Sequence, residues 1–182
     1  MFANNMRSAR SILAGALIIG LGLPAAIAQD STVEEIKYKE DYDRIQSILK
    51  VSDILKRGDM MLKLYKERPD MDPKLREYID SLFARDLETL MKRQNFAALR
   101  SLSERAVKLR PRFGEVYLFQ GIVLKNEKKN DEAMTAFARC YVIKNQLQTR
   151  AKQQLDLLYR ASHGGSLIGQ EKLIKEAMKD IK

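Results

Sequence analysis

The chain has 182 residues, 45% of them hydrophobic and 31% charged, with 7 Tyr, 6 Phe and no Trp. That length allows one domain with a real core and excludes two ordinary independent ones, and the composition excludes a disordered chain. With 33 Lys+Arg against 24 Asp+Glu the net charge is +9, and the single Cys140 excludes an intramolecular disulfide in any compartment.

Arg7 and Arg10 precede the uncharged run Ser11–Leu23, which is followed by Pro24 and the small-residue pattern Ala26-Ile27-Ala28. This is the order of a secretory signal peptide over residues 1–28, with cleavage expected after Ala28 and no Cys beyond it to carry a lipid. An uncleaved N-terminal anchor is the rival reading. Ser11–Ala28 would span about 27 Å as a helix against a bilayer core of about 30 Å, and its glycines and Pro24 weaken it. Without residues 1–28 the chain keeps 31 basic and 24 acidic residues, net +7. Gln29–Met91 is slightly acidic, so the excess lies from Lys92 onward. In an exported protein a basic half points to acidic proteins, anionic envelope polymers or lipid head groups ahead of nucleic acid.

Gln29–Asp43 is polar and is expected to be a frayed lead-in. Ile45, Ile48, Leu49 and Leu55 then recur at helical spacing and predict a first helix over about Tyr42–Lys56. Gly58-Asp59 is expected to interrupt it, after which Met60, Met61, Leu64 and Tyr65 continue an apolar face until Pro69. The tripeptide Arg57-Gly58-Asp59, which spells an adhesion motif, is therefore read as a helix break. Asp72-Pro73 opens a helix to about Arg93, an acceptor side chain at the cap followed by Pro where its missing donor costs nothing. Its apolar stripe is Leu75, Tyr78, Ile79, Leu82, Phe83, Leu87, Leu90 and Met91. Asn95 caps a helix over Phe96–Leu109 that Pro111 ends.

From Gly114 a helix carries Val116, Tyr117, Gln120, Gly121 and Leu124. The loop Lys125–Lys129 and a cap at Asn130 lead to a helix with Ala133, Phe137, Cys140 and Tyr141. Another begins near Leu147 with Ala151, Leu155, Leu158 and Tyr159. His163-Gly164-Gly165-Ser166 breaks the pattern, and a last amphipathic helix holds Leu173, Ile174, Ala177, Met178 and Ile181. With few turns and no hairpin signals, the fold class is all-α. Gly164-Gly165 lacks the Lys and the strand-to-helix setting of a phosphate loop, and His163, the lone histidine, cannot lead a metal site. No nucleophile has an evident base, so neither an enzyme nor a cofactor is expected.

A period of 34 residues links these segments, so that Phe83 falls on Tyr117, Leu87 on Gly121, Leu90 on Leu124, Leu99 on Ala133 and Ala106 on Cys140. With Tyr117, Gly121, Leu124, Ala133, Phe137 and Cys140 as its helix-packing residues, the unit at 114–147 resembles a tetratricopeptide repeat (TPR). Units at 80–113 and 148–182 keep less of the pattern. The first has Leu87, Leu99 and Ser103 at departures from it, and the second keeps the helix-turn-helix outline. Asn145 replaces the closing proline of the middle unit, so its last helix is expected to run on or bend. The resemblance implies antiparallel helix-turn-helix pairs stacked as a short TPR-like α-solenoid over 73–182, with 29–72 a helical segment packed on the array.

Such arrays bind peptides or protein surfaces along a concave face lined by the first helix of each pair. The resemblance therefore implies groove candidates Arg85 and Glu88, Leu118, Phe119 and Ile122, and Lys152 and Asp156. One subclass grips an acidic carboxyl-terminal tail with Lys and Asn at comparable places, but here Ala84, Glu88, Leu118 and Ile122 stand there. An apolar centre with charged flanks suits an amphipathic helix or extended hydrophobic segment. Leu118, Phe119 and Ile122 either line that groove or pack against the chain's own helices. The functional expectation is a non-catalytic protein-interaction scaffold in a bacterial-type envelope. The alternative is a basic binder of anionic envelope polymer or membrane surface through Arg93, Arg100, Arg110, Arg112, Lys125, Lys128 and Lys129.

Overall fold

In this computed structural model the described residues are 25–180, with side chains from Thr32 on. The chain divides into two compact units, 1–35 and 36–182. The expected signal sequence up to Pro24 lies outside the described residues, and the backbone is helical through Ala28. Among the described residues no helix is long and apolar enough to cross a membrane.

The described residues form eight helices and no strand, as the all-α reading expects. They are α1 (Ala25–Leu49), α2 (Ile54–Glu67), α3 (Pro73–Lys92), α4 (Phe96–Leu109), α5 (Gly114–Asn126), α6 (Asn130–Val142), α7 (Gln148–Ser162) and α8 (Gln170–Asp180). Asp72 accepts from the Lys74 and Leu75 amides at 2.8 and 3.4 Å, and Asn95 accepts from Ala98 at 3.2 Å, so both expected caps are made. Asn130 makes no cap. It is the first residue of α6, whose N-cap position is Lys129 without a side-chain bond.

The N-terminal boundaries differ from the sequence reading. The lead-in is helical, α1 ends at Leu49, and Asp53 caps α2 by accepting from the Lys56 amide at 2.9 Å. Gly58 does not break a helix. It is buried inside α2, where a Cβ would come within 2.8 Å of Leu102 Cδ1 on α4, so glycine serves close helix approach rather than a turn. Arg57 is bonded to Asp86 and Asp59 to Arg105, which leaves the tripeptide inside a helix with both charges engaged.

The turns repeat where the sequence does. Gln94 (φ 55°) and Lys128 (φ 63°) stand 34 residues apart and are the two non-glycine residues of positive φ among those described. Each is followed by a bond back over the last helical turn, Asn95 N to Leu90 O at 3.0 Å and Lys129 N to Leu124 O at 2.9 Å. This is one left-handed helix stop used twice. A second recurrence was not legible at that period. Arg68 closes α2 and pairs with Asp41 on α1 at 3.0 Å, just as Arg110 closes α4 and pairs with Asp80 on α3. Both arginines precede a proline, and Met71 and Phe113 beyond them are buried. Thus α1 and α2 repeat a device of α3 and α4.

The core has two clusters. One joins Ile45 and Ile48 of α1 to buried residues of α2, α3 and α4 and to Val116, Phe119 and Val123 of α5. The other joins Tyr117 and Leu118 of α5 to Ala133, Phe137, Cys140, Ala151, Leu155 and Ala177. Helix α5 feeds both, and an apolar surface all round is what burial on opposite sides requires. Tyr117 also donates to the Pro111 carbonyl at 3.0 Å, Leu124 is half-buried, and Gly121 faces the Phe137 ring.

Asn145, where the helix is expected to run on or bend into the next, instead stands in a break between α6 and α7. Its Nδ2 donates to the Cys140 and Ile143 carbonyls at 2.7 and 2.6 Å, and its Oδ1 accepts from the Leu147 amide at 2.8 Å. One side chain thereby stops α6 and starts α7. Cys140, beside it, is fully buried, and burial pushes its thiol from an ordinary 9.0 up to about 12, against a smaller downward pull from Asn145. The native state then keeps a proton that the unfolded chain releases, so stability is complete below pH 9 and is lost as pH rises from about 9 toward 12. A maleimide should leave native Cys140 unmodified at pH 8 and react fully in denaturant, and Cys140→Ala should flatten the fall in urea stability between about pH 9 and 10.

Candidate functional site

On α3 the buried residues Leu75, Ile79, Leu82, Phe83, Asp86, Leu87 and Leu90 form one stripe, which turns a second, polar stripe outward at the same helical spacing. That polar stripe, from Arg76, Glu77 and Asp80 through Ser81, Ala84 and Arg85 to Glu88, is one wall of a cavity of about 740 Å³. Arg112, from the turn into α5, and Glu115 of α5 form the second wall, with the buried Phe113 and Phe119 as floor between the walls. Lys144, Asn145, Gln146 and Leu147, held by the Asn145 hydrogen bonds, form the third.

The floor is rigid. Asp80 accepts from the Tyr65 hydroxyl at 2.6 Å and pairs with Arg110. The Arg110 guanidinium carbon lies 4.7 Å from the Tyr65 ring centre and 5.0 Å from that of Phe113, a doubly stacked cation. Phe83 and Phe113 pack at 5.9 Å between centroids beside Tyr65. Burial, reinforced by the Asp80 charge, drives the Tyr65 hydroxyl well above its ordinary value, so it stays a hydrogen-bond donor. Burial alone would lower Arg110, but Asp80 outweighs it and holds the guanidinium above its ordinary value.

Of the charges on the walls, Glu88 lies 3.5 Å from Lys92 and 3.6 Å from Arg150, and Arg76 donates to the Pro69 and Met71 carbonyls. The side chains of Arg85, Arg112, Lys144, Glu77 and Glu115 make no hydrogen bond or ion pair with the described residues. No family model, no curated protein and no solved structure matches this chain.

The structure brings Arg85, Glu88 and Phe119 to one cavity and leaves the other groove candidates elsewhere. Leu118 is 0% exposed, inside the second core cluster, and Ile122 is half-buried against the same cluster. Phe119 is 1% exposed and forms floor rather than an open wall. The apolar trio thus packs against the chain's own helices, because α5 is buried on both sides. Lys152 and Asp156 pair with each other on α7. Lys152 also donates to Gln170 on α8 at 3.0 Å and lies 5.7 Å from the Tyr141 ring centre. Sequence reasoning missed Arg76, Glu77, Asp80, Lys144 and Arg150, and named Arg112 only within the alternative reading of a basic binder. The α3 residues among them were legible as a polar stripe opposite the apolar one, whereas Lys144 and Arg150 reach the site through the fold.

The basic residues of the alternative reading do not share one condition. Arg100 pairs with Glu104 at 2.8 Å and with Glu127 at 2.7 Å, and Lys129 lies 3.0 Å from Glu127. Arg110 is held by Asp80, and Lys125 donates to Gln154 at 3.3 Å. Arg93 and Lys128 are exposed and unpaired among the described residues, and Arg112 belongs to the cavity rim.

Proposed function

We propose that this protein is a non-catalytic interaction adaptor of the cell envelope, built as a short TPR-like solenoid that holds a protein or peptide segment in the cavity between α3 and α5. The solenoid reading is supported by the helix stop repeated at 34 residues and by the pattern of contacts. Successive helices from α2 to α7 touch, and α3, α5 and α7, the first helices of successive pairs, touch in order. The envelope location is supported by the order of Arg7, Arg10, the apolar run and Ala28.

The observation that carries the function is the cavity itself, a concave site of about 740 Å³ with unpaired charged groups on all three walls over an aromatic floor. That size lies within the range of about 300–1,000 Å³ common to ligand sites. The polar walls favour a segment that brings its own charges over a purely hydrophobic helix. Incorporating p-benzoylphenylalanine in place of Arg85, on the wall, should crosslink a protein in cells that make this chain. The same photoreactive residue in place of Lys108, exposed on α4, should not. No crosslink at either position, or equal crosslinking at both, overturns the proposal.

A further inference from the structure

We infer that the occupant of this cavity is an extended acidic segment of a protein chain, an inference that rests on the peptide-binding reading above and names its chemistry. By residue type the walls are balanced, with Arg76, Arg85, Arg112 and Lys144 against Glu77, Asp80, Glu88 and Glu115. Their partners are not balanced. Asp80 is neutralised by Arg110, and Glu88 by Lys92 and Arg150, cations that come from outside the walls. No acid among the described residues pairs with any of the four wall cations. The site therefore presents its positive charge and has cancelled half of its negative charge, and a concave, low-dielectric wall concentrates that field.

The unpaired cations come from three elements, Arg85 from α3, Arg112 from the turn into α5 and Lys144 from the α6–α7 connection. They surround the cavity, so carboxylates entering along its length meet a cation from each wall. Gln146, exposed and without a partner among the described residues, offers an amide to a peptide backbone. A long anionic polymer fits less well, because it needs a continuous run of free cations. Beyond the cavity Arg100, Arg105 and Lys129 are already paired with Glu104, Asp59 and Glu127.

The test is fluorescence anisotropy with three labelled octapeptides, blocked at both ends, of sequence (Glu-Ser)4, (Gln-Ser)4 and (Lys-Ser)4, with sodium polyphosphate as a fourth probe. The glutamate peptide should bind about tenfold or more tighter than the glutamine peptide, and the lysine peptide least. Arg112→Ala with Lys144→Ala should weaken it about tenfold, since each exposed charge contact contributes about threefold. Arg93→Ala with Lys128→Ala should leave it within about twofold. Both pairs are exposed, and circular dichroism checks that the variants remain folded.

Equal binding of the glutamate and glutamine peptides, or preference for the lysine peptide, overturns this inference while the peptide-binding reading stands. Equal loss in the two double variants also overturns it, because the attraction would then be spread over the whole surface. Binding of polyphosphate alone assigns the charge to a polymer and overturns it as well. Absence of binding by every peptide overturns both this inference and the reading beneath it.

Discussion

Replacing Gly121 by Leu should destabilise the protein by about 3 kcal/mol or more, with Gly121→Ala also destabilising by a smaller amount. At an exposed helical position Gly→Ala gains about 1 kcal/mol, because glycine has the larger backbone entropy to lose. Here the added Cβ would stand 2.5 Å from Phe137 Cε1 and 2.6 Å from Cδ1. Phe137 is 0% exposed and belongs to the cluster of Tyr117, Ala133 and Cys140, so its ring has no solvent to turn into. Steric overlap with a fixed ring therefore outweighs the propensity gain, and the longer Leu side chain adds to it. Urea unfolding measures the ranking. Combining Gly121→Ala with Phe137→Leu should cost less than the two separate changes together by about 1 kcal/mol or more, since the second makes the room the first needs. If Gly121→Ala proves more stable than the parent protein, α5 and α6 do not approach as described.

Helix ends that depend on neighbours in sequence were legible. Asp72-Pro73 and Asn95 act on amides within three residues, and the starts of α3 and α4 fall where those residues place them. Ends that depend on distant packing were not. Gly58 looks like a break until Leu102 is laid across it, 44 residues away in the chain. The loop after α5 is shorter than the expected Lys125–Lys129 because Lys128 takes a left-handed conformation and closes it within Glu127–Lys129, a choice that a Gly would announce and a Lys does not. The kinship of α2 with α4 was hidden by length. Helix α3 has 20 residues against 13 in α5, so Arg68-Pro69 stands 42 residues before Arg110-Pro111 and escapes a 34-residue comparison.

The candidate site divides in the same way. Val116-Tyr117-Leu118-Phe119 is four apolar residues in succession, a pattern that suits a helix buried on opposite sides better than a groove wall, and that signal was present in the sequence. The stripe from Arg76 to Glu88 was present too, at spacings of three and four. What no local pattern could supply was the third wall. Lys144 and Gln146 reach the cavity because Asn145 halts α6, and that depends on a side chain closing onto three backbone groups at once.

Asp86→Ala should cost about 3–5 kcal/mol, the other large effect expected of a single substitution, while Arg57→Met with Asp86→Leu should recover most of it. Asp86 accepts from Arg57 Nε at 2.7 Å and from Nη2 at 2.5 Å, a two-pronged pair joining α2 to α3. The third guanidinium nitrogen donates to the Val51 carbonyl at 2.6 Å, so the same arginine also fixes the connection from α1. The side chains are 4% and 16% exposed, and the Asp86 hydrogen bond raises the Arg57 guanidinium above its ordinary value. Removing the carboxylate leaves that cation in the interior with one carbonyl. Removing both charges leaves an apolar contact, which is why the double replacement is milder than the single one. The exposed pair of Arg105 with Asp59, 48% and 54% exposed, provides the comparison, and Asp59→Ala should change stability by about 0.5 kcal/mol or less. Urea unfolding of the three variants decides the matter, and an Asp86→Ala protein as stable as Asp59→Ala would mean that the interior pair carries nothing. Asp86 stands on the buried stripe of the helix whose opposite stripe walls the cavity. The Arg57–Asp86 pair therefore holds, from the buried side of α3, the helix that presents Arg85 and Glu88 to the cavity.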